Sequence, residues 1–356
     1  MEGNHWPHGS CDGAGANLAR LRHRASEFFD SLSVADLVRE RSRHLWVSDW
    51  LRVADDYRIS AESAHRDESA PIALDAWLCS LTALEVARSL SSPGDLADAD
   101  LSDRLDIGLK GLENEVGPAI QHVKVDGLDQ GPLTGLFRPA FRQERSPAVI
   151  CIADEGVTLG AMMSRLSPAI CHRNMSLLLV HAGNASIRRP FKAEHMLACW
   201  LDYLAARPDV DTRRIAVYGE GAGASHASRL AMSDRRIAAA VCDGGIAAPI
   251  MRRAWLRARR GVAQAATPPD WLQPSRRIPC PLLVVVGSRS MVWEEDALAL
   301  QAGYRQAGAD CSTVVPTCIP HPLGEVENFI AVDNFILEWL DNKLGAGGQL
   351  DSVTRL

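Results

Sequence analysis

The chain has 356 residues, of which 47% are hydrophobic and 23% are charged, and its formal net charge at pH 7 is −6. These values are ordinary for a globular protein and suffice for one large domain with a smaller one. Because phosphate binding relies on clustered Lys and Arg, the mildly acidic balance argues against a nucleic-acid partner.

The cysteines and apolar runs bear on the cellular compartment. The nine cysteines lie far apart and form no C-x-x-C pair, which argues against a zinc site or a thioredoxin-like motif. Their odd number, with several inside apolar runs, predicts free buried thiols in a reducing environment. No run of about 18 apolar residues is present, so no transmembrane helix is predicted. We expect a cytoplasmic protein with no metal, no other cofactor and no membrane partner.

The N-terminal third of the chain is predicted to be all-α. Residues 1–16 lack the apolar core of a signal peptide and are expected to form a disordered tail. Beyond them apolar residues recur at three- and four-residue spacings, most clearly from Asp75 to Leu90. Residues 17–115 are therefore assigned to a helical N-terminal domain.

The pattern changes to strands near Pro118. Residues 120–125 alternate and residues 133–137 supply a returning strand, so an antiparallel hairpin is expected. Short apolar runs then alternate with helical stretches, which is typical of a mostly parallel sheet covered by helices on both faces. We assign residues 116–345 to this α/β core and residues 346–356 to a C-terminal tail.

Residues 249–279 interrupt the alternation of strands and helices. Five arginines lie there between residues 252 and 260, together with Trp255 and Trp271. One interpretation is an amphipathic helix with solvated arginines. The other is a cap segment whose tryptophans, Trp255 among them, line a ligand cavity.

The strand that ends at Tyr218 runs into the segment Gly-Glu-Gly-Ala-Gly. A strand leading into Gly-x-Ser-x-Gly is the nucleophile elbow of an α/β-hydrolase, but here the nucleophile position holds Gly221. Glycine has no side chain, so it cannot attack an acyl carbon or form a covalent intermediate. The backbone N–H of Ala222 remains as an oxyanion donor, and the elbow is expected to gain room for substrate or water.

Of the other two members of the expected Ser–acid–His order, the acid is absent and the histidine is present. The strand at residues 282–286 leads into Gly-Ser-Arg-Ser, so the acid position holds Ser290, which cannot stabilise an imidazolium as a carboxylate does. His321 follows the last predicted strand, where the base belongs. The predicted site therefore keeps a general base but has neither the nucleophile nor the acid.

Four more residues are candidates for this site. Asp154 and Glu155 follow a buried strand, and each is either an acid or base in a dry pocket or part of a solvated turn. Glu220 precedes Gly221 and either packs behind the elbow or lines the pocket. His181 ends the strand that begins at Ser176 and is a candidate pocket residue.

A dinucleotide-binding fingerprint matches the same segment in relaxed form. Gly219-x-Gly221-x-x-Ala224 follows a strand, and Asp243 lies about twenty residues later. Such a unit normally opens a domain, whereas here other strand–helix units precede it and His321 follows the last strand. We therefore favour the hydrolase elbow over a cofactor site.

In these motifs the chain resembles the α/β-hydrolases with an N-terminal helical domain, a group that includes 2,6-dihydroxypseudooxynicotine hydrolase and the fermentation-respiration-switch-like esterases. The resemblance rests on the helical lead, Pro147-Ala-Val-Ile, the elbow, Gly244-Gly245 and His321. It implies an α/β-hydrolase fold, substrate binding between the helical domain and the carboxyl edge of the sheet, and a homodimer. The family's nucleophile maps to Gly221 and its acid to Ser290, so the resemblance transfers only the base, His321.

Similar α/β-hydrolase-fold proteins act in secondary-metabolite and antibiotic biosynthesis, where the enzymes that remove acetate from acylated tetronates perform an elimination. An elimination needs a base and hydrogen-bond donors but no serine. This likeness implies a lyase or cyclase on a small natural-product-like substrate. His321 would be the general base and the Ala222 amide an oxyanion donor, with Asp154 or Glu155 assisting.

Two alternatives stay open at the level of sequence. A non-catalytic pseudo-hydrolase that binds a ligand or partner explains the loss of both nucleophile and acid. An inactivated variant of a serine hydrolase is the other, because one substitution separates this segment from an active elbow. Ser290 is a second departure, which inactivation of the nucleophile does not explain.

Overall fold

A computed structural model describes residues 16–91, 97–116, 120–126, 132–140, 145–171, 173–182, 193–246, 278–321, 324–345 and 354–355. The predicted tails at 1–16 and 346–356 and the cap segment at 249–279, with Trp255, lie almost wholly outside these residues. The predicted domain boundaries stay a prediction.

The helices and strands of the described residues follow the chain in this order. The helices are α1 (Ala16–Ser31), α2 (Val34–Val38), α3 (Glu40–Arg66), α4 (Ala70–Leu90), α5 (Ala97–Val116), α6 (Leu159–Ile170), α7 (Ala193–Ala205), α8 (Ala222–Ser233), α9 (Glu294–Gln306) and α10 (Phe329–Leu344). The strands are β1 (Gln121–Asp126), β2 (Pro132–Arg138), β3 (Ser146–Ala153), β4 (Ser176–His181), β5 (Val210–Glu220), β6 (Ile237–Asp243), β7 (Leu282–Val285), β8 (Cys311–Val315), β9 (Cys318–His321), β10 (Gly324–Glu327) and β11 (Thr354–Arg355).

These elements divide into two compact units. The helical unit comprises Met1–Ile120, Gly160–His172 and Thr317–Phe335, within the described ranges. The sheet unit comprises Gln121–Leu159, Arg173–Pro316 and Ile336–Leu356, within the same limits. The helical unit thus holds α1 to α5 and also most of α6 and the hairpin of β9 and β10, which come much later in the chain.

The sheet unit is built on one sheet with the strand order β1-β2-β4-β3-β5-β6-β7-β8-β11. β1 pairs with β2 and β2 with β4 in antiparallel fashion, and the pairs from β4 through β8 are parallel. All eight residues of β3 are buried, as its unbroken apolar run requires for a strand covered on both faces. The predicted α/β architecture, with its leading hairpin and an all-α N-terminal region, is confirmed.

α4 forms the core of the helical unit. Most of its side chains are buried, and it contacts α1, α3 and α5. By length and composition this helix is apolar enough to cross a membrane, but 78% of its most apolar window is buried inside the protein. Its hydropathy is therefore that of a core helix, which the sequence pattern alone does not distinguish from a membrane span.

A buried ion pair links two late elements of the helical unit. Arg165 in α6 donates to Asp333 in α10 at 3.0 Å, and both side chains are at most 3% exposed. Arg22 in α1 donates to Asn334 at 2.8 Å, so α10 is also tied to the N-terminal helices. Removing one member of a buried charged pair leaves an unpaired charge in the core, which is strongly destabilising, so the positions of α6 and α10 depend on this pair.

The β9–β10 hairpin is absent from the sequence-based expectation. Pro320 and Pro322 flank His321, and such prolines are typical of a loop rather than a strand. In the structure Cys318–His321 nevertheless pairs with Gly324–Glu327 in antiparallel register. A short hairpin whose strands contain a proline and polar residues has no continuous apolar run, so the apolar pattern does not predict it.

The first prediction concerns the close packing of α5 on α4. A Cβ added at Gly111 would collide with the indole ring of Trp77, which is buried. Alanine normally favours a helix over glycine by about 1 kcal/mol. We expect the opposite sign for Gly111→Ala, a loss of about 1–3 kcal/mol in the free energy of unfolding, because the ring must move. Urea unfolding measures it.

The control for Gly111→Ala is Ser102→Ala on the exposed face of the same helix, for which a change within about 0.5 kcal/mol is expected. Trp77→Phe combined with Gly111→Ala should recover part of the loss, since the smaller ring makes room. Equal stability of Gly111→Ala and the native chain would contradict this packing.

Candidate active site

The turn between β5 and α8 has the geometry of a nucleophile elbow. Gly221 has φ +50° and ψ −118°, a backbone conformation that L side chains rarely adopt, and α8 begins at the next residue. Gly219 and Gly223 allow the close packing, because a Cβ on either would collide with the backbone of α8 or of β3. The chain therefore keeps the sharp strand-to-helix turn while it lacks the nucleophile's side chain.

The carboxylate of Asp154 occupies the place that a nucleophile's side chain would take. Asp154 directly follows β3, and a Cβ added at Gly221 would overlap all three atoms of its carboxylate group. The sequence-based expectation was room at the elbow for substrate or water. The structure differs, because the neighbouring parallel strand delivers an acidic side chain into that space.

Asp154 also takes the backbone donor predicted for an oxyanion. The N–H of Ala222 donates to Asp154 Oδ1 at 2.8 Å, and the N–H of Glu155 donates to the same oxygen at 2.8 Å. Ala222 is the first residue of α8, and the N-terminus of a helix attracts negative charge. The elbow thus already binds an anion that belongs to the protein.

Below the elbow lies a buried group of ionisable side chains. Glu220 and Asp243 end β5 and β6 and are 2% and 1% exposed. The hydroxyl of Tyr218 donates to Glu220 Oε1 at 2.5 Å and lies 3.4 Å from Asp243 Oδ2. Arg289 forms an ion pair with Asp243 at 2.9 Å. Glu220 is therefore engaged behind the turn, and whether it also lines a pocket stays a prediction.

The backbone around Asp243 ties the elbow to the loop after β7. The N–H of Gly221 donates to the carbonyl of Asp243 at 2.7 Å, and the N–H of Met291 donates to the carbonyl of Gly244 at 2.7 Å. With the Arg289 ion pair, these bonds connect the turn at Gly221 to the loop that holds the predicted acid position. The Gly221 N–H is thus bonded directly to the end of β6, and the loop after β7 holds that end in turn.

Ser290, at the acid position, closes a turn of its own loop. Its hydroxyl donates to the carbonyl of Val292 at 2.9 Å and accepts the N–H of Val292 at 3.1 Å. The loop directs a cation, Arg289, toward Asp243. The acid loop therefore has a structural hydrogen-bond pattern and contributes no carboxylate at this position.

His181 lies at the same edge of the sheet as Asp154. It ends β4 and pairs in register with Ala153, the residue before Asp154. Its side chain is exposed in part, and the burial of the remainder lowers its pKa below the usual value of 6.5. Because the neutral imidazole then predominates at pH 7, His181 has the protonation state of a base.

The remaining predicted residues differ in how far the structure describes them. Glu155 is exposed beside Asp154. His321 is the last residue of β9, in the helical unit, and its side chain lies outside the described part of the chain. Trp255 lies outside it entirely. No group of three metal-binding side chains is found among the described residues.

Four residues at the end of β6 and in the loop after β7 did not emerge from the sequence as catalytic or pocket candidates. Asp243 and Arg289 form the ion pair beneath the elbow, and a carboxylate directly after a buried strand was the available signal for Asp243. Met291 and Trp293 follow in the acid loop and are 60% and 78% exposed. Large exposed apolar side chains of this kind are suited to contact a ligand or another segment.

Comparisons with known proteins agree with this architecture. Neither the protein-family models nor the curated protein sequences give a match. Among solved structures, a 2,6-dihydroxy-pseudo-oxynicotine hydrolase is 17% identical, with a TM-score of 0.57, over 92% of this chain and 97% of that one. An acylaminoacyl peptidase from Pyrococcus horikoshii is 12% identical over 65% of this chain and 43% of its own, with a TM-score of 0.48.

An esterase from Pyrobaculum calidifontis is 16% identical over 61% of this chain and 83% of its own, with a TM-score of 0.39. At these identities the likeness concerns the fold and carries no activity with it. The chain has the α/β-hydrolase fold, with a helical N-terminal region in front of it.

The second prediction tests the match between Gly221 and Asp154 with a double-mutant cycle. Gly221→Ala alone should lower the free energy of unfolding by about 1–3 kcal/mol, because the φ angle is unfavourable and the methyl group displaces the Asp154 carboxylate from its hydrogen bonds. In the Asp154→Ala background the same substitution should cost about 0.5–1.5 kcal/mol less, since no hydrogen-bonded carboxylate is displaced. Chemical denaturation of the four proteins gives the coupling energy.

Gly156→Ala provides the matched control for this cycle. Gly156 also has a positive φ, but a Cβ there would meet nothing within 4 Å. Its cost should be the same with and without Asp154→Ala. Strict additivity of Gly221→Ala and Asp154→Ala would mean that the carboxylate does not occupy the elbow.

Proposed function

We propose that the protein is a serine-independent lyase on the α/β-hydrolase scaffold, a nucleophile-less relative of the group with an N-terminal helical domain. Its substrate is a small natural-product-like ester, from which it eliminates the acyloxy group as a carboxylate. The observation that carries the proposal is the Asp154 carboxylate at the Gly221 position, bonded to the Ala222 N–H. A covalent acyl intermediate has no place there, whereas a carboxylate fits.

The proposed reaction is a proton abstraction followed by loss of the leaving group. His321 removes a proton from the carbon next to a carbonyl group, and the C–H electron pair forms a carbon–carbon double bond. The C–O bond to the acyloxy group breaks, the carboxylate leaves with the electron pair of that C–O bond, and the imidazolium of His321 keeps the proton. The Ala222 N–H donates to the negatively charged oxygen as it develops.

Asp154 has a defined part in this proposal. Since the acid loop offers Ser290 and Arg289, the carboxylate of Asp154 is proposed to assist the elimination as an acid or base. Asp154 releases the Ala222 N–H when substrate arrives and stays at the edge of the site. Glu155 and His181 lie on the same edge and are proposed to line the pocket.

A non-catalytic pseudo-hydrolase is the second candidate, and one observation favours it. The oxyanion donor is occupied by the protein's own carboxylate, so the ligand-free elbow has no vacant N–H at Ala222. A binding protein needs neither nucleophile nor acid. The two candidates differ in turnover, which the next experiment measures.

The third prediction concerns His321. On a panel of β-acyloxy carbonyl compounds, His321→Ala should lower kcat by about 10²–10⁴-fold, because the general base is lost. Mass spectrometry in H₂¹⁸O distinguishes the chemistry. Elimination gives an alkene and an unlabelled carboxylate, whereas hydrolysis at the acyl carbon places ¹⁸O in the acid.

The matched control is His122→Ala, which removes an exposed histidine from β1 and should leave turnover unchanged. Full activity of His321→Ala, or ¹⁸O in the released acid, would exclude the proposed elimination. Binding without any product across the panel would favour the pseudo-hydrolase.

The fourth prediction tests whether the chain is an inactivated serine hydrolase. Gly221→Ser should not react with a fluorophosphonate probe, because the acid position holds Ser290, which leaves the base without a carboxylate partner, and because the Asp154 carboxylate would first have to leave the elbow. Gel fluorescence measures labelling, with Gly221→Ser/Asp154→Ala as the variant in which that carboxylate is removed. Rapid labelling of Gly221→Ser alone would restore the serine-hydrolase interpretation.

We also propose a homodimer in the cytoplasm that acts on a small molecule, without nucleic-acid or membrane partners. These points follow from the composition and from the family resemblance.

A further inference from the structure

The hairpin of β9 and β10 carries His321 and ends directly before Asn328, where the chain meets α1. The hairpin, Asn328 and α1 all belong to the helical unit. We infer that Asn328, through its acceptors Ser26 and Asp30 on α1, is a positioning residue for His321. The inference rests on the proposed function for the role of His321, and its test includes a readout that does not need turnover.

The side chain of Asn328 joins β10 to two helices. Its amide nitrogen donates to the carbonyl of Ser26 at 3.1 Å, to the Ser26 hydroxyl at 2.9 Å and to Asp30 Oδ1 at 2.8 Å. Its amide oxygen accepts the N–H of Ala331 at 3.2 Å, which caps the first turn of α10. One side chain therefore fixes the end of β10 against both α1 and the start of α10.

Further contacts hold α1 against α10. Phe29 and Phe329 pack edge to face with ring centroids 5.6 Å apart, and both side chains are buried. One to two turns away, Arg22 donates to Asn334 at 2.8 Å. Together with the bonds of Asn328, these contacts extend along most of α1, so the helix is a firm support for the chain that follows β10.

The hairpin connects this support to His321. Cys318 and Glu327 oppose each other at the end of the hairpin beside Asn328, and the Cys318 thiol donates to Glu327 Oε2 at 3.4 Å. His321 opposes Gly324 at the other end, and α2 contacts β9. A two-stranded hairpin is only marginally stable by itself, so the position of His321 depends on the elements that anchor the hairpin.

This arrangement gives the N-terminal helices a part in the proposed reaction. A general base must lie within hydrogen-bond reach of the proton that it removes, and a misplacement of about 1 Å can cost about 10²-fold in rate. Loosening the hairpin should therefore lower kcat more than it weakens substrate binding. Asn328 acts through the hairpin, which makes its role one of positioning.

The test uses the full-length Asn328→Asp protein. The aspartate keeps an oxygen that caps α10 but loses the nitrogen that donates to α1, and its negative charge faces Asp30. In spectra of protein labelled with ¹³C-histidine, we expect the Cε1–H cross-peak of His321 to be displaced or broadened. His321→Ala assigns that cross-peak. On the panel of β-acyloxy carbonyl compounds, kcat should fall at least about tenfold while KM changes less than about twofold.

Two controls separate positioning from charge and from stability. Asn334→Asp makes the same chemical change at an exposed position of α10 and keeps an acceptor for Arg22, so the His321 cross-peak and kcat should not change. Gly111→Ala destabilises the same unit at a different place. It should lower the unfolding temperature without displacing the cross-peak.

A second variant changes α1 alone and replaces Asn328→Asp if the latter does not fold. Ser26→Ala/Asp30→Ala removes two of the three acceptors of Asn328 and should displace the same cross-peak. Asp30→Asn keeps an oxygen acceptor at this position, so its spectrum and its kcat should be close to those of the native protein. Thermal unfolding establishes that each variant is folded.

Each outcome decides the inference. An unchanged His321 cross-peak in the folded Asn328→Asp protein, or an equal change in either control, would overturn it. A displaced cross-peak in a protein whose native form turns over no compound would support the positioning role and reject the lyase. Turnover that is lost in His321→Ala but unchanged in Asn328→Asp would support the lyase and overturn the positioning role.

Discussion

The site depends on one hydrogen-bonded carboxylate. Asp154, from the loop after β3, lies against Gly221 and accepts the N–H of Ala222 at 2.8 Å. A glycine at the elbow without this carboxylate would leave a small void and an unsatisfied donor at the start of a helix. A carboxylate without the glycine would collide with a side chain. The glycine and the carboxylate are therefore complementary, and together they place an acidic side chain at the elbow.

The sheet explains why these residues meet. β3 and β5 are parallel neighbours, so their carboxyl ends, and hence Asp154 and Gly221, lie side by side at one edge. β6 follows on the other side and supplies the carbonyl of Asp243 to the Gly221 N–H, while Arg289 holds the Asp243 carboxylate. The turn is therefore held by backbone hydrogen bonds and by a partly buried ion pair, neither of which needs a side chain at residue 221.

Much of the fold was predictable because local pattern and tertiary structure agree. Unbroken apolar runs such as Ala148–Ala153 are buried on both faces, and the alternation at residues 120–125 forms the edge hairpin. The elbow was also predictable, since its glycines are required by close backbone approach. The β9–β10 hairpin was not, because Pro320 and Pro322 obscure it, and the helical character of α4 does not reveal which neighbours cover it.

The site was predictable only in part, for a physical reason. The sequence places Asp154 and Gly221 at the same edge of the sheet. The side chain of Asp154 fills the space beside Gly221, and the spacing of residues along the chain does not show which side chain fills that space. The pairing of Arg289 with Asp243 is of the same kind.

The measurement that tests the account most directly is a crystal structure of the ligand-free protein at a resolution that defines side-chain rotamers. The account predicts the Asp154 carboxylate against Gly221, with Oδ1 hydrogen-bonded to the Ala222 nitrogen. An Asp154 turned into solvent, with water or nothing at the elbow, would contradict it.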